Sequence, residues 1–262
     1  MTEDRNGTFT KCRGIRKRHE NASKPWRRPG SASGFGRENM KGQVVLITGS
    51  SSGIGRETAY RFAKEGARLV LTYYKGKTRG EAAERRCRRL GATDTLLLRL
   101  DVTDNKSIAR AAREVKRKYG AIDFLINNAG TGVFNLFKKQ TAKNIERQIR
   151  TNLEGLIKVT RTFLPQVKKG IINIASAAGK EVYEEMSVYC GSKFGVRGFT
   201  QTLALEYPRL RSCCVNPDET ATRLSGYQGR PPQEVAEVIF RAASGKVGCQ
   251  KGGDVDVWKV MG

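Results

Sequence analysis

From Met40 onward, short apolar runs alternate with longer stretches in which apolar residues recur every three or four positions. Val44–Thr48 (VVLIT) is β-branched and too short for a helix, so it predicts a strand. Gly53–Lys64 reads as a helix, Leu69–Tyr73 as a second strand, Glu81–Leu90 as a charged helix and Leu96–Leu100 as a third strand. A helix at Lys106–Lys118 precedes a strand at Ile122–Ile126. Ile145, Ile149, Leu153, Leu156 and Phe163 share helical spacing and predict one long helix over 142–164. Strands follow at Ile171–Ala175, Cys213–Val215 and Asp254–Trp258, with helices at Val188–Glu206 and from Pro231–Pro232 to Ala243 between them. About seven strands alternating with helices predict βα units. The fold class is therefore α/β: a doubly wound, Rossmann-like parallel sheet in a single domain spanning residues 40–262.

Residues 1–39 lack this periodicity and are rich in Arg, Lys, Gly, Ser and Pro, with five basic residues between Lys11 and Arg18. They read as a disordered basic tail, or as sequence ahead of a true start at Met40. A nucleic-acid-binding arm and an organelle transit peptide are the sharper readings; four acids and no amphipathic face count against transit.

Charge and composition narrow the chemistry. The 262 residues carry 49 Lys and Arg against 25 Asp and Glu, a formal charge of +24, and the tail accounts for only a minor part of it. His19, in the tail, is the single histidine. No Ser-His-Asp triad or histidine-rich metal site can therefore form in the domain, so a general base must be Tyr, Lys, Cys or a carboxylate. No metal site is expected. The six cysteines (Cys12, Cys87, Cys190, Cys213, Cys214, Cys249) show no CxxC and no regular spacing. They read as reduced thiols of a cytoplasmic protein. No apolar run is long enough to span a membrane.

The first strand runs directly into Thr48-Gly49-Ser50-Ser51-Ser52-Gly53-Ile54-Gly55, where a helix begins. Glycines there let the backbone turn tightly and approach a pyrophosphate placed at a helix N-terminus. The spacing is GxxxGxG, and its strand–loop–helix context separates it from the many other glycines in the chain. An acid at the end of the second strand would hydrogen-bond the ribose 2′-hydroxyl of NAD. Here that strand ends Thr72-Tyr73-Tyr74-Lys75-Gly76-Lys77, with no acid before Glu81. The lean is to NADP(H), with Lys75, Lys77 and Arg79 near a 2′-phosphate, and NAD(H) as the alternative.

With histidine excluded, a Tyr-Lys pair is the natural proton donor. YxxxK places both side chains on one helix face, and a nearby ammonium lowers a tyrosine pKa. The pattern occurs at Tyr60/Lys64, Tyr73/Lys77 and Tyr189/Lys193. Only the last opens a helix after a later strand, with Ser176 13 residues upstream at that strand's carboxyl end, where such sheets bind ligands.

Taken in order, TGSSSGIG (48–55), Asp101-Val102, Asn127-Asn128-Ala129-Gly130, Asn152, Ser176 and Tyr189-Cys190-Gly191-Ser192-Lys193 resemble the single-domain branch of the short-chain dehydrogenase/reductase family, from about Met40 to the C-terminus. The resemblance implies an NAD(P)-dependent oxidoreductase acting on a small-molecule carbonyl or secondary alcohol. Tyr189 would be the acid or base, Ser176 would hold the substrate oxygen, and Lys193 would bind the nicotinamide ribose and hold the tyrosine pKa down. Asn152 would position a relay water. Gly49, Ser51, Ser52, Gly53, Ile54 and Gly55 would cradle the cofactor, Asp101 and Val102 would meet the adenine, and Asn128, Ala129 and Gly130 would line the cleft. Thr222 would meet the carboxamide, with Pro217 beside it. It also implies a homodimer or homotetramer through the helices at 142–164 and around Tyr189.

Two departures stand out. The family usually has Pro-Gly after the sixth strand; this chain has Pro217-Asp218, so a side chain there is expected to strain the loop or crowd the ring. Only eight residues separate Thr222 from Pro231, which predicts a short lid and an open site. Other readings are a 3-oxoacyl-thioester reductase, against which Ser52 stands where such enzymes often carry a basic residue, and a non-catalytic dinucleotide- or polyanion-binding protein. Nucleic-acid binding is allowed by the charge but is not the favoured reading.

Overall fold

The strand Val44–Ile47 (β1) is apolar at every position because both its faces are covered. Val45 and Ile47 point into one core cluster, Val44 and Leu46 into another. The alternation of side chains across a strand makes a continuous apolar run the expected sequence of a two-sided sheet.

In the computed structural model, residues 39–249 and 252–262 are described. Among them β1 is joined by β2 (Arg68–Tyr73), β3 (Asp94–Arg99), β4 (Ile122–Asn127), β5 (Val167–Ile174), β6 (Arg211–Asn216) and β7 (Asp254–Asp256) in one seven-stranded sheet, ordered β3-β2-β1-β4-β5-β6-β7. Every adjacent pair is parallel. The helices are α1 (Gly53–Ala63), α2 (Lys77–Arg89), α3 (Asn105–Tyr119), α4 (Ala142–Ile149), α5 (Gly155–Phe163), α6 (Ser187–Glu206), α7 (Pro232–Ala243) and α8 (Val257–Met261). The doubly wound parallel sheet expected from the sequence is the fold observed. The chain reverses its direction of winding between β1 and β4, the point at which sheets of this kind bind ligands at their carboxyl ends.

Helix α3 shows how the sequence forms these elements. The Asp104 carboxylate accepts hydrogen bonds from the amides of Lys106 (2.9 Å) and Ser107 (3.2 Å) and starts the helix. Ile108, Ala111, Ala112 and Val115 then form one buried stripe at helical spacing, and Gly120 ends the helix at a φ of 72°. In β4, Ile122 and Leu125 face the same cluster although simple alternation would separate them. The register against β5 slips between Ile122 and Phe124, which resets the pleat.

Three expectations change. The long helix is interrupted by a π-helical turn at Arg150–Glu154 and ends at Phe163. The last strand stops at Asp256. Val257, Val260 and Met261 instead share a helical face on the core beneath α7, and that burial selects α8 over a longer strand. Cys213 and Cys249 are joined in a disulfide with Cα atoms 5.4 Å apart, while Cys87, Cys190 and Cys214 remain free thiols. Cys213 lies on the sheet face under α7, and the chain leaving α7 returns beneath that face before β7, so both sulfurs enter one core cluster. The tail, with His19, Cys12 and the basic run, lies outside the described residues.

The helix pair α1 and α7 closes one face. Phe62 and Phe240 meet edge to face at 5.3 Å, both fully buried. The Arg61 guanidinium lies 3.6 Å from the Phe240 ring centroid and pairs with Glu237 at 2.5 Å. Phe62→Ala is expected to lower the unfolding free energy by about 3–5 kcal/mol, read from denaturant midpoints at an unchanged m-value.

Candidate active site

The turn after β1 is built on close approach. Gly53 has a φ of +53°, and a Cβ there would lie 3.3 Å from Thr222 Cγ2. A Cβ at Gly55 would lie 2.4 Å from Asn128 Nδ2 and 2.6 Å from the Gly49 carbonyl, so any larger residue would push the helix start off the sheet. The Asn128 side-chain amide donates to the Thr48 carbonyl at 2.8 Å, and Thr48 Oγ1 accepts from the amides of Asn128 and Ala129. Thr72 completes the loop's support: its hydroxyl accepts from Gly49 N at 2.9 Å, and its own amide donates to Ser50 Oγ at 2.8 Å. Neither Thr72 nor Thr48 is marked as a support of the loop by its spacing in the sequence. Their signal is a hydroxyl residue at the end of an otherwise apolar strand.

Ser51 is buried in this loop, Ser52 is exposed at the start of α1, and Ile54 packs onto the core. Asp101 Oδ1 accepts from the Thr103 amide and hydroxyl, and Val102 is buried beside it. At the end of β2, Lys75 is exposed with its ammonium 5.3 Å from the Tyr74 ring centroid. Arg79 donates to the Lys75 carbonyl, and Lys77 pairs with Glu81 at 3.6 Å.

The second half of the site gathers around α6. Tyr189 and Lys193 are one turn apart and both buried. Lys193 Nζ donates to the Ile174 carbonyl at the end of β5, at 2.9 Å. Ser176, two residues further on, accepts from Ala178 N at 3.2 Å and lies near enough to the Tyr189 hydroxyl to lower its pKa. Asn152 sits in the π-helical turn, where the extra residue turns its side chain inward. Its amide group exchanges two 2.8 Å hydrogen bonds with the Thr131 backbone and donates to Ser192 Oγ at 3.1 Å. A Cβ on Gly130 would be 3.4 Å from Asn152 Oδ1 and 3.9 Å from Lys193 Nζ, so these three residues meet. All four members of the expected tetrad therefore stand at the carboxyl ends of β4 and β5. The pairs Tyr60/Lys64 and Tyr73/Lys77 do not join them. A cavity of about 300 Å³ between α1 and α7, lined partly by Tyr60, Arg61 and Lys64, shares no residue with the tetrad.

The electrostatics differ from the expectation that Lys193 depresses the Tyr189 pKa. Burial pushes the Tyr189 hydroxyl up to about 12 despite the lowering effect of Ser176. Burial also pulls Lys193 down to about 8. Desolvation is the leading cause in both groups, and the Lys193 ammonium is committed to a carbonyl.

Asp218 does not strain its loop. Among the described residues only Glu185 and Tyr227 combine a side chain with positive φ. The Asp218 carboxylate takes the Arg230 guanidinium on both oxygens, at 3.0 and 3.1 Å, and so turns to the base of the short lid. Thr222 caps the lid's 3₁₀ turn at Arg223–Ser225, and Pro217 accepts a hydrogen bond from Ala177 N at 2.8 Å. Phe134 meets the Tyr189 ring edge to face at 5.4 Å, a contact that no spacing in the sequence indicated.

Lys193 makes stability depend on pH. Between about pH 8 and its unfolded pKa near 10.5, the unfolded chain holds a proton that the folded chain has released, so this residue's contribution to stability rises with pH. Above about pH 10 the raised Tyr189 pKa acts in the opposite sense. Lys193→Met is expected to be more stable than wild type at pH 7, with the gap narrowing by pH 10, as read from urea midpoints at both pH values.

Comparison with known proteins bears on the same residues. The family model of the short chain dehydrogenases matches residues 43–232. An 11-beta-hydroxysteroid dehydrogenase-like 4A of Arabidopsis thaliana is 36% identical over 173 residues, covering 64% of this chain and 58% of that relative. Estradiol 17-beta-dehydrogenase 11 of Mus musculus is 36% identical over 192 residues, 70% of this chain and 63% of the relative. The chain thus spans about three fifths of the length of these relatives. Among solved structures, a levodione reductase superposes with a TM-score of 0.77 at 25% identity, covering 83% of this chain and 96% of that one. A Shigella flexneri short chain dehydrogenase complexed with NADP shares the fold, with a TM-score of 0.78 at 22% identity over 85% of this chain and the whole of that one. A family match over most of the chain, on a sheet and tetrad arranged as described, makes this protein a member of the short-chain dehydrogenase family.

Proposed function

We propose that the protein is an NADP(H)-dependent oxidoreductase that interconverts a carbonyl and a secondary alcohol, with Tyr189 as the acid or base. The observation that carries this reading is the convergence of Ser176, Tyr189, Lys193 and Asn152 at the carboxyl ends of β4 and β5. A dinucleotide fits the residues present, because the helix after the glycine turn starts at Ser52 with no side-chain cap, so its first amides can meet a pyrophosphate. The bound nicotinamide supplies or takes up the hydride.

In the reductive direction the Tyr189 hydroxyl gives its proton to the carbonyl oxygen, while the Ser176 hydroxyl holds that oxygen in place. The Lys193 ammonium, one turn along the helix and held on the Ile174 carbonyl, would bind the nicotinamide ribose when the cofactor is present. Asn152 braces the Gly130–Thr131 backbone against α6 and keeps the floor of the cleft in register. In oxidation the proton runs in reverse. Substrate approach is apolar: a Cβ on Gly132 would touch both Phe134 and Leu224, each more than a third exposed. Such a mouth suits a hydrophobic ketone, in keeping with the steroid alcohols in the names of two relatives. The preference for NADP(H) rests on the carboxyl end of β2, where Lys75 and Arg79 stand exposed and the first acid, Glu81, is already paired with Lys77.

Two measurements test this. Tyr189→Phe should lower kcat for NADPH-dependent reduction of hydrophobic ketones by roughly a hundredfold or more, at an unchanged KM for NADPH. Retained activity, or none in wild type with any ketone tried, overturns the reading. Wild type should show a KM for NADPH about tenfold below that for NADH, and Lys75→Glu should narrow the ratio; a lower KM for NADH overturns the cofactor assignment.

A further inference from the structure

We propose that Arg197 and Asp254 are positioning residues for Ser176: together they fix the turn after β5 against α6, and so set the geometry in which Tyr189 transfers its proton. This rests on the roles given to Ser176 and Tyr189 above.

Tyr189, Lys193 and Arg197 follow one another at intervals of four on α6 and so lie along one face of the helix. The first two carry the proposed chemistry. Arg197, the third, reaches back to the turn, donating from Nη1 to the Gly179 carbonyl at 2.7 Å. Its Nε and Nη2 pair with both oxygens of Asp254, at 2.9 and 2.5 Å. This bidentate fork fixes the guanidinium plane as a single contact does not. The turn has little room to move: a Cβ on Gly179 would lie 2.9 Å from the Lys193 carbonyl, so its backbone is pressed onto the helix.

The short strand β7 supplies the other end of this brace. Asn216, the last residue of β6, donates to Asp254 at 3.0 Å and to Asp256 at 2.9 Å. Asp256 in turn takes Lys180, the residue after the turn, at 2.6 Å. Next to Asn216, the Pro217 carbonyl accepts the amide of Ala177, the residue after Ser176. The segment 177–180 is thus held at Ala177, Gly179 and Lys180 by groups on three different elements. Two largely buried carboxylates carry a desolvation cost that apolar side chains at the same positions would avoid. What they provide in return is a fixed orientation for the serine turn.

The test uses the full chain. Arg197→Lys keeps the charge and loses the fork; Asp254→Asn keeps the shape and loses the charge. Amide exchange over residues 176–180, followed by mass spectrometry without ligand, is expected to accelerate in both variants. With NADPH and the hydrophobic ketone that wild type reduces best, kcat is expected to fall about tenfold, with the KM for NADPH within about twofold of wild type. In a Ser176→Ala background the same substitutions should cost almost nothing further. Wild-type exchange at 176–180 in both variants overturns the proposal, as does unchanged kcat in an active enzyme or full additivity with Ser176→Ala. If wild type reduces no ketone, the functional reading fails, and the exchange measurement alone decides whether the brace exists.

Discussion

The hydrogen bond from the buried Lys193 ammonium to the last carbonyl of β5 joins the two elements that carry the proposed chemistry. A buried ammonium needs such a partner, because desolvation otherwise disfavours its charged form. The bond fixes the rotation of α6 about its axis, and that rotation places Tyr189 one turn earlier beside Ser176. Beside it, Asn152 joins Thr131 to Ser192 and closes the contact between the π-helical turn and α6.

The other half of the site depends on close backbone packing rather than on charge. The start of α1 sits so near the β4 loop that only glycine fits at position 55, and the Asn128 amide bonds into the same space. Polar atoms that would be unsatisfied at strand ends are instead bonded among Thr48, Asn128, Ser50 and Thr72. Both halves meet where the winding of the sheet reverses, which is why residues more than a hundred positions apart form one site.

Among the described residues, most of the basic side chains lie on helices. On α2 the buried stripe is only Gly80, Ala83 and Cys87, and the arginines around it are exposed, with Arg88 paired to Glu84 at 3.1 Å. Exposed pairs of this kind contribute little to stability. The more protected pairs, Arg61–Glu237, Arg197–Asp254 and Lys180–Asp256, join different elements.

The sequence by itself determined the fold class and most of the tetrad, because both leave local signals. Apolar runs such as VVLI mark strands covered on both faces, the glycine spacing marks the turn into α1, and Tyr189/Lys193 lie four apart on one helix. Tertiary structure decided whatever depends on distant residues meeting. The π-helical turn that aims Asn152 inward, the Cys213–Cys249 bond, the turning of Asp218 to Arg230 and the Arg197–Asp254 fork each join residues whose spacing carries no pattern. The end of β7 was decided the same way, by burial of Val257 against the core rather than by the strand propensity of DVDVW. So too was the high Tyr189 pKa: the residue types predicted a lowered value, but only the packed structure sets how much water each group loses.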